Sequence, residues 1–161
     1  MAPSDLFRCN ARRYDQAIDQ FQKTLEMDQN YAVARSGLAK AYELKGMNDE
    51  AVTQTLKGLT LSGEKPETVA ALRAVYTASG IKGFWRKRLA ILIEESKQTY
   101  VSTVSIAQIY TQLEEKDKAF EWLEKAYREH DGRLVLLKVI PEFDSLHSDP
   151  RFAEMLGRVG L

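Results

Sequence analysis

The chain is poor in the residues that carry most protein chemistry. It has a single cysteine, Cys9, in 161 residues, so no intrachain disulfide can form and a reducing cytoplasmic setting is the expectation. Its two histidines, His130 and His147, stand well apart in the chain, with no Cys-x-x-Cys or His-x-x-x-His spacing near either. That excludes the usual metal-ligand patterns, and no metal site is expected. Nine glycines are scattered, mostly at turn positions, and none builds a phosphate-cradling loop. The carboxylates Glu94, Glu95, Glu114, Glu115 and Asp144 fall on helix faces or turns and read as solvated surface. No catalytic residue and no cofactor are expected.

Charge of one sign is also missing. Lysine plus arginine and aspartate plus glutamate both number 23, for a net charge of zero. A dedicated binder of nucleic acid or of an anionic membrane carries a basic excess, so neither partner is expected. No apolar run approaches the roughly 18 residues that span a bilayer. The opening Met1 to Cys9 lacks the apolar centre of a signal peptide. What remains is 44% hydrophobic and 29% charged, a balance that can bury a core and is not that of a disordered chain.

The organising feature is a period of 34. Ala17, Ala51, Trp85 and Ala119 are spaced by 34, and Ala153 takes the next step. The same step joins Leu38, Leu72 and Ile106, then Tyr42, Tyr76 and Tyr110, then Gly46, Gly80 and Glu114. Between these columns the apolar residues follow helical spacing: Leu38, Ala41 and Tyr42 share one stripe, and so do Tyr14, Ile18, Phe21 and Leu25. Glycine at Gly46 ends a helix, and Asn48 or Asp49 opens the next.

A fixed period of 34 with Leu, Tyr four residues later and Ala nine after that resembles the tetratricopeptide repeat. The resemblance implies an all-α fold, a right-handed superhelical stack of antiparallel helix pairs (an α-α solenoid) closed by short C-terminal helices. The register divides a single domain, 1–161, into a half repeat at 13–31, repeats at 32–65 and 100–133, a divergent repeat at 66–99 and a C-terminal cap at 134–161. Divergence at 66–99 shows where the family places small residues. Ala39 and Ala51 become Arg73 and Trp85 there, while Ala107 and Ala119 restore the pattern.

In this frame the stretch Phe84-Trp85-Arg86-Lys87-Arg88 opens the second helix of the divergent repeat. Trp85, Leu89, Leu92 and Ile93 share a face, so the aromatics read as packing residues and the cations as solvated surface. The equivalent stretches beginning at Ala51 and Ala119 are neutral or acidic, and no basic stripe continues.

The resemblance also implies a function, a non-catalytic module that binds a partner peptide or helix in the groove formed by the first helix of each repeat. Carried over by column, the groove comprises Val33, Ser36, Lys40, Glu43 and Leu44, then Ala70, Ala74 and Thr77, then Val104, Gln108, Thr111 and Gln112. With Lys40 alone as a cation, the groove does not suit an acidic chaperone tail. The half repeat lacks its first helix, so Tyr14, Ile18, Phe21 and Leu25 are expected to be open to a second copy of the chain. The segments "KDKAFEWLEKAY" and "LKVIPEFDSLHSDPRF" resemble the repeat regions of bacterial multidomain signalling proteins, over roughly Gly83 to Leu161. The alternative function is therefore a fragment of a larger regulator whose activity lies in an N-terminal domain.

Overall fold

The computed structural model describes the backbone of residues 3–161, with side chains from 13 onward except at 141. Leu6, Phe7 and Cys9 lie outside the described side chains. Among the described residues seven α-helices follow one another: α1 (Pro3–Met27), α2 (Ala32–Leu44), α3 (Asn48–Leu61), α4 (Pro66–Glu95), α5 (Thr103–Gln112), α6 (Lys116–Arg128) and α7 (Pro150–Val159). Two 3₁₀ helices, Gly132–Leu136 and Pro141–Leu146, stand between α6 and α7. The described residues hold no strand, and the fold is all-α, built from the packed helix pairs of which an α-α solenoid is made. The chain divides into two compact units, Met1–Ile81 and Lys82–Leu161. The helical run of α4 is broken at Gly80, whose φ of 67° and ψ of −164° lie where only glycine is at ease.

In the first unit, α2 and α3 form a tight hairpin. Ala39 and Ala51 are both buried, as close approach of two helices requires. Gly46 takes a φ of 78°, and the next amide, of Met47, donates to the Tyr42 carbonyl at 2.8 Å. That bond closes the end of α2 and turns the chain into α3. The core cluster joins Ile18 of α1 to Leu38, Ala41 and Tyr42 of α2 and Ala51 of α3, with Ala17, Phe21, Leu25 and Met47 packed at its edge. Here the absence of a side chain at Gly37 matters. A Cβ there would lie 2.4 Å from the tip of the Phe21 ring, so the ring can hold this position only against a glycine.

Gly37→Ala therefore sets two effects against each other. Alanine improves the helix by up to about 1 kcal/mol, and overpacking costs about 1–3 kcal/mol. We expect a net loss of about 1 kcal/mol in the wild-type background, the difference of those two effects, and a net gain once Phe21→Leu has removed the ring tip. Chemical denaturation of the four variants of this cycle measures it, and a loss that persists with Phe21→Leu would mean that the ring is not the obstacle.

The second unit repeats the hairpin. Ala107 of α5 and Ala119 of α6 are wholly buried, and the Glu115 amide donates to the Tyr110 carbonyl at 2.9 Å. The column that held Gly46 now holds Glu114, which still adopts a positive φ of 64°. After α6 the helical period changes. Leu134, Leu137, Ile140, Phe143 and Leu146 are all buried, each three positions after the last, which is the period of a 3₁₀ helix. Pro141 occupies the column of Ala107, one period later, and has no amide proton to continue an α-helix.

The register survives this change. The first residues of α6 and α7, Lys116 and Pro150, again share a column. Arg151 of α7 pairs with Asp117 at 2.8 Å and lies 4.1 Å over the Phe120 ring. Arg158 pairs with Glu124 at 2.6 Å and lies 4.3 Å over the Tyr127 ring. Each ion pair joins residues one repeat apart, so the capping segment packs in the register of a further, degenerate repeat.

Candidate functional site

The groove columns have different fates in the two units. On α2, Val33 is 67% and Leu44 39% exposed, and Ser36 is exposed between them. Val33 and Leu44 are three helical turns apart, so both stand on one face. Lys40 and Glu43, both half-buried, pair at 3.6 Å within that face. On α4, Ala70, Ala74 and Thr77 are exposed, and Thr77 returns its hydroxyl to the Arg73 carbonyl at 3.1 Å.

The second unit departs from the column expectation. Val104 is wholly buried in the core cluster, and Thr111 is buried with its hydroxyl on the Ala107 carbonyl at 3.0 Å. Only Gln108 and Gln112 of that set keep partial exposure. The physical reason is that α5 packs against the 3₁₀ helix Pro141–Leu146 as well as against α6.

The α1 stripe is likewise engaged within its own unit. Ile18 is buried, and Tyr14, Phe21 and Leu25 are half-buried, the last two packed with Ile18 against the cluster that includes Leu38 and Tyr42 of α2. In the second unit Phe84 is fully buried with Trp85 edge-on at 5.0 Å, and Arg86 and Lys87 are exposed.

Three polar residues outside the groove columns also matter. Tyr76 donates its hydroxyl to Asp49, and this bond, with burial second, pushes the phenol up to about 12. Asp131 is buried after α6 and takes four donors. Its Oδ2 accepts the Ser102 hydroxyl at 2.7 Å, the Thr103 hydroxyl at 3.2 Å and the Val104 amide at 3.2 Å; Oδ1 accepts the Arg133 amide at 2.9 Å. Burial pushes this carboxyl up, but the hydrogen bonds together outweigh it and hold it below its ordinary value. Arg35 of α2 is 9% exposed, donates to the Gln54 side chain at 2.8 Å and to the Gln29 carbonyl, and its Nε has no acceptor. Arg35 lies between Ala34 and Leu38 on the buried face, where an arginine is out of place; that was its available signal. For Asp131 the local role is the cap of the 3₁₀ helix at Gly132, while its partners at the start of α5, Ser102, Thr103 and Val104, lie too far back in the chain to be read locally.

Depressions on the second unit are made of groups already engaged. One of about 480 Å³ is lined by Glu114, Glu115, Lys116, Asp117, Lys118 and Arg151. Within it Lys118 pairs with Glu115 at 2.7 Å, and Lys116 donates to the Ser145 carbonyl. Among the described residues no three His, Cys, Asp or Glu side chains gather as metal ligands would. Among them, too, no helix is long and apolar enough to cross a membrane.

Comparison with known proteins agrees with the helix pairs. Tetratricopeptide-repeat family models match residues 11–76, which run from α1 into α4, and residues 104–129, the α5–α6 hairpin. No curated protein and no solved structure matches the chain. With both stretches matched, together more than half of the residues, and with the paired-helix packing that the repeat requires, the chain belongs to the tetratricopeptide-repeat family.

Proposed function

We propose that this repeat protein is a protein-interaction module that seats a partner segment on the exposed face of α2. The observation that carries the reading is the pair of exposed aliphatic side chains, Val33 and Leu44, three turns apart on one helix face. Isolated exposed aliphatics are ordinary, but two on one helix face, three turns apart, offer anchors for alternate turns of a bound segment. The half-buried Lys40–Glu43 pair between them neutralises the centre of the face, which favours a segment without strong net charge. Pairing of two copies through Tyr14, Ile18, Phe21 and Leu25 has less support, because α2 already packs on that stripe.

The test is capture of partners by the intact chain beside a Val33→Glu/Leu44→Glu variant. Both sites are exposed, so the variant should keep its thermal stability within about 0.5 kcal/mol. We expect at least one specific partner to be lost at least tenfold. Identical captured sets from two equally folded proteins would remove α2 as the binding face.

A further inference from the structure

A guanidinium buried without a counter-charge is costly unless something negative reaches it, and the first unit contains one. Arg35 is more than nine-tenths buried, and both of its acceptors, the Gln54 side-chain oxygen and the Gln29 carbonyl, are neutral. Its Nε is buried with no acceptor at all. Among the described residues no carboxylate lies within ion-pair distance of it. Arg35 also sits in the opening turn of α2 and reaches back to Gln29, ahead of the helix. That end carries the positive pole of the helix dipole. Its first turn contains no acidic residue, and Tyr31 at the cap makes no side-chain hydrogen bond to it. Two positive features therefore converge at one place, where desolvation makes an uncompensated charge most unfavourable.

We propose that the Arg35 end of α2 is an oxyanion site, which takes a carboxylate or a phosphate group of a ligand. An incoming oxyanion would replace the Gln54 oxygen on the guanidinium, accept from the open amides of the first α2 turn, and supply the charge that the fold omits. This site is separate from the Val33–Leu44 face, so failure of either reading leaves the other standing.

The experiment is thermal unfolding of the full chain in sodium chloride, sodium acetate and sodium phosphate at matched ionic strength. The wild type should show a saturable upward shift of several degrees in Tm with one or both oxyanions relative to chloride. Saturation with phosphate alone marks a phosphoryl ligand, and saturation with acetate marks a carboxylate; either supports the site. Arg35→Met should lose the shift. Gln54→Glu places a carboxylate on the guanidinium from within, so it should raise Tm in chloride and abolish the response to either oxyanion. This second variant keeps the test decisive if Arg35→Met does not fold. No saturable shift in the wild type, or the same shift in Gln54→Glu, overturns the proposal.

Discussion

Phe143→Ala is expected to cost the second unit about 3–5 kcal/mol, the range for removing a buried phenyl ring. Phe143 has no exposed surface. Its ring meets Phe152 of α7 at 6.1 Å, and Phe152 in turn stacks on His147 at 5.0 Å. The ring therefore joins the 3₁₀ helix to α7 inside one cluster that also holds Ile106, Leu123 and Leu137. Removing it leaves a void that short 3₁₀ turns, with their poorer hydrogen bonds, cannot close by sliding. Both tryptophans, Trp85 and Trp122, pack on this same cluster, so their fluorescence reports its loss directly. Val139 is 71% exposed in the same region, and Val139→Ala should change stability by less than about 0.5 kcal/mol. If the two variants lose similar amounts of stability in urea, the burial of every third side chain does not describe the packing in solution.

The same region shows where the sequence could be read and where it could not. The repeating columns put Leu38, Tyr42, Ala51, Ile106, Tyr110 and Ala119 on the inner faces of their helices, and all six are buried. They are legible because one environment recurs and demands the same side chain each time. The run from Leu134 to Leu146 carries an equally regular signal with a period of three. It goes unseen when apolar residues are matched only to the 3.6 and 2 periods of helix and strand.

Groove positions were less legible for another reason. A column states on which side of its own helix a residue stands, but not what later packs there. Val33 and Val104 are both placed in the groove by column, yet one is exposed and the other wholly buried, because α5 has a 3₁₀ neighbour. Arg35 reaches Gln54, and Asp131 reaches Ser102, Thr103 and Val104, across long stretches of chain, and no local pattern encodes those contacts.

Asp131 supports the last expectation. Asp131→Ala should destabilise the second unit by about 3 kcal/mol or more, because the Val104 and Arg133 amides and the Ser102 and Thr103 hydroxyls lose their acceptor together. These donors fix the first turn of α5 to the end of α6, so the change acts on the hairpin that carries most of the unit's core. Asp131→Asn keeps the shape but has one oxygen for two sets of donors, and its amide group must face at least one of them. Its loss should be smaller than that of alanine and should depend on pH. The folded carboxyl titrates below its unfolded value, so its contribution is fully present above the unfolded pKa of about 4. As pH falls through the lower folded value, that contribution disappears. The stability gap between wild type and Asp131→Asn should therefore be constant from pH 7 to about 5 and narrow steadily in more acidic solution. Urea midpoints followed by tryptophan fluorescence across that range measure the gap. A gap that stays constant at acid pH would show that the carboxylate charge is not what holds α5 in place.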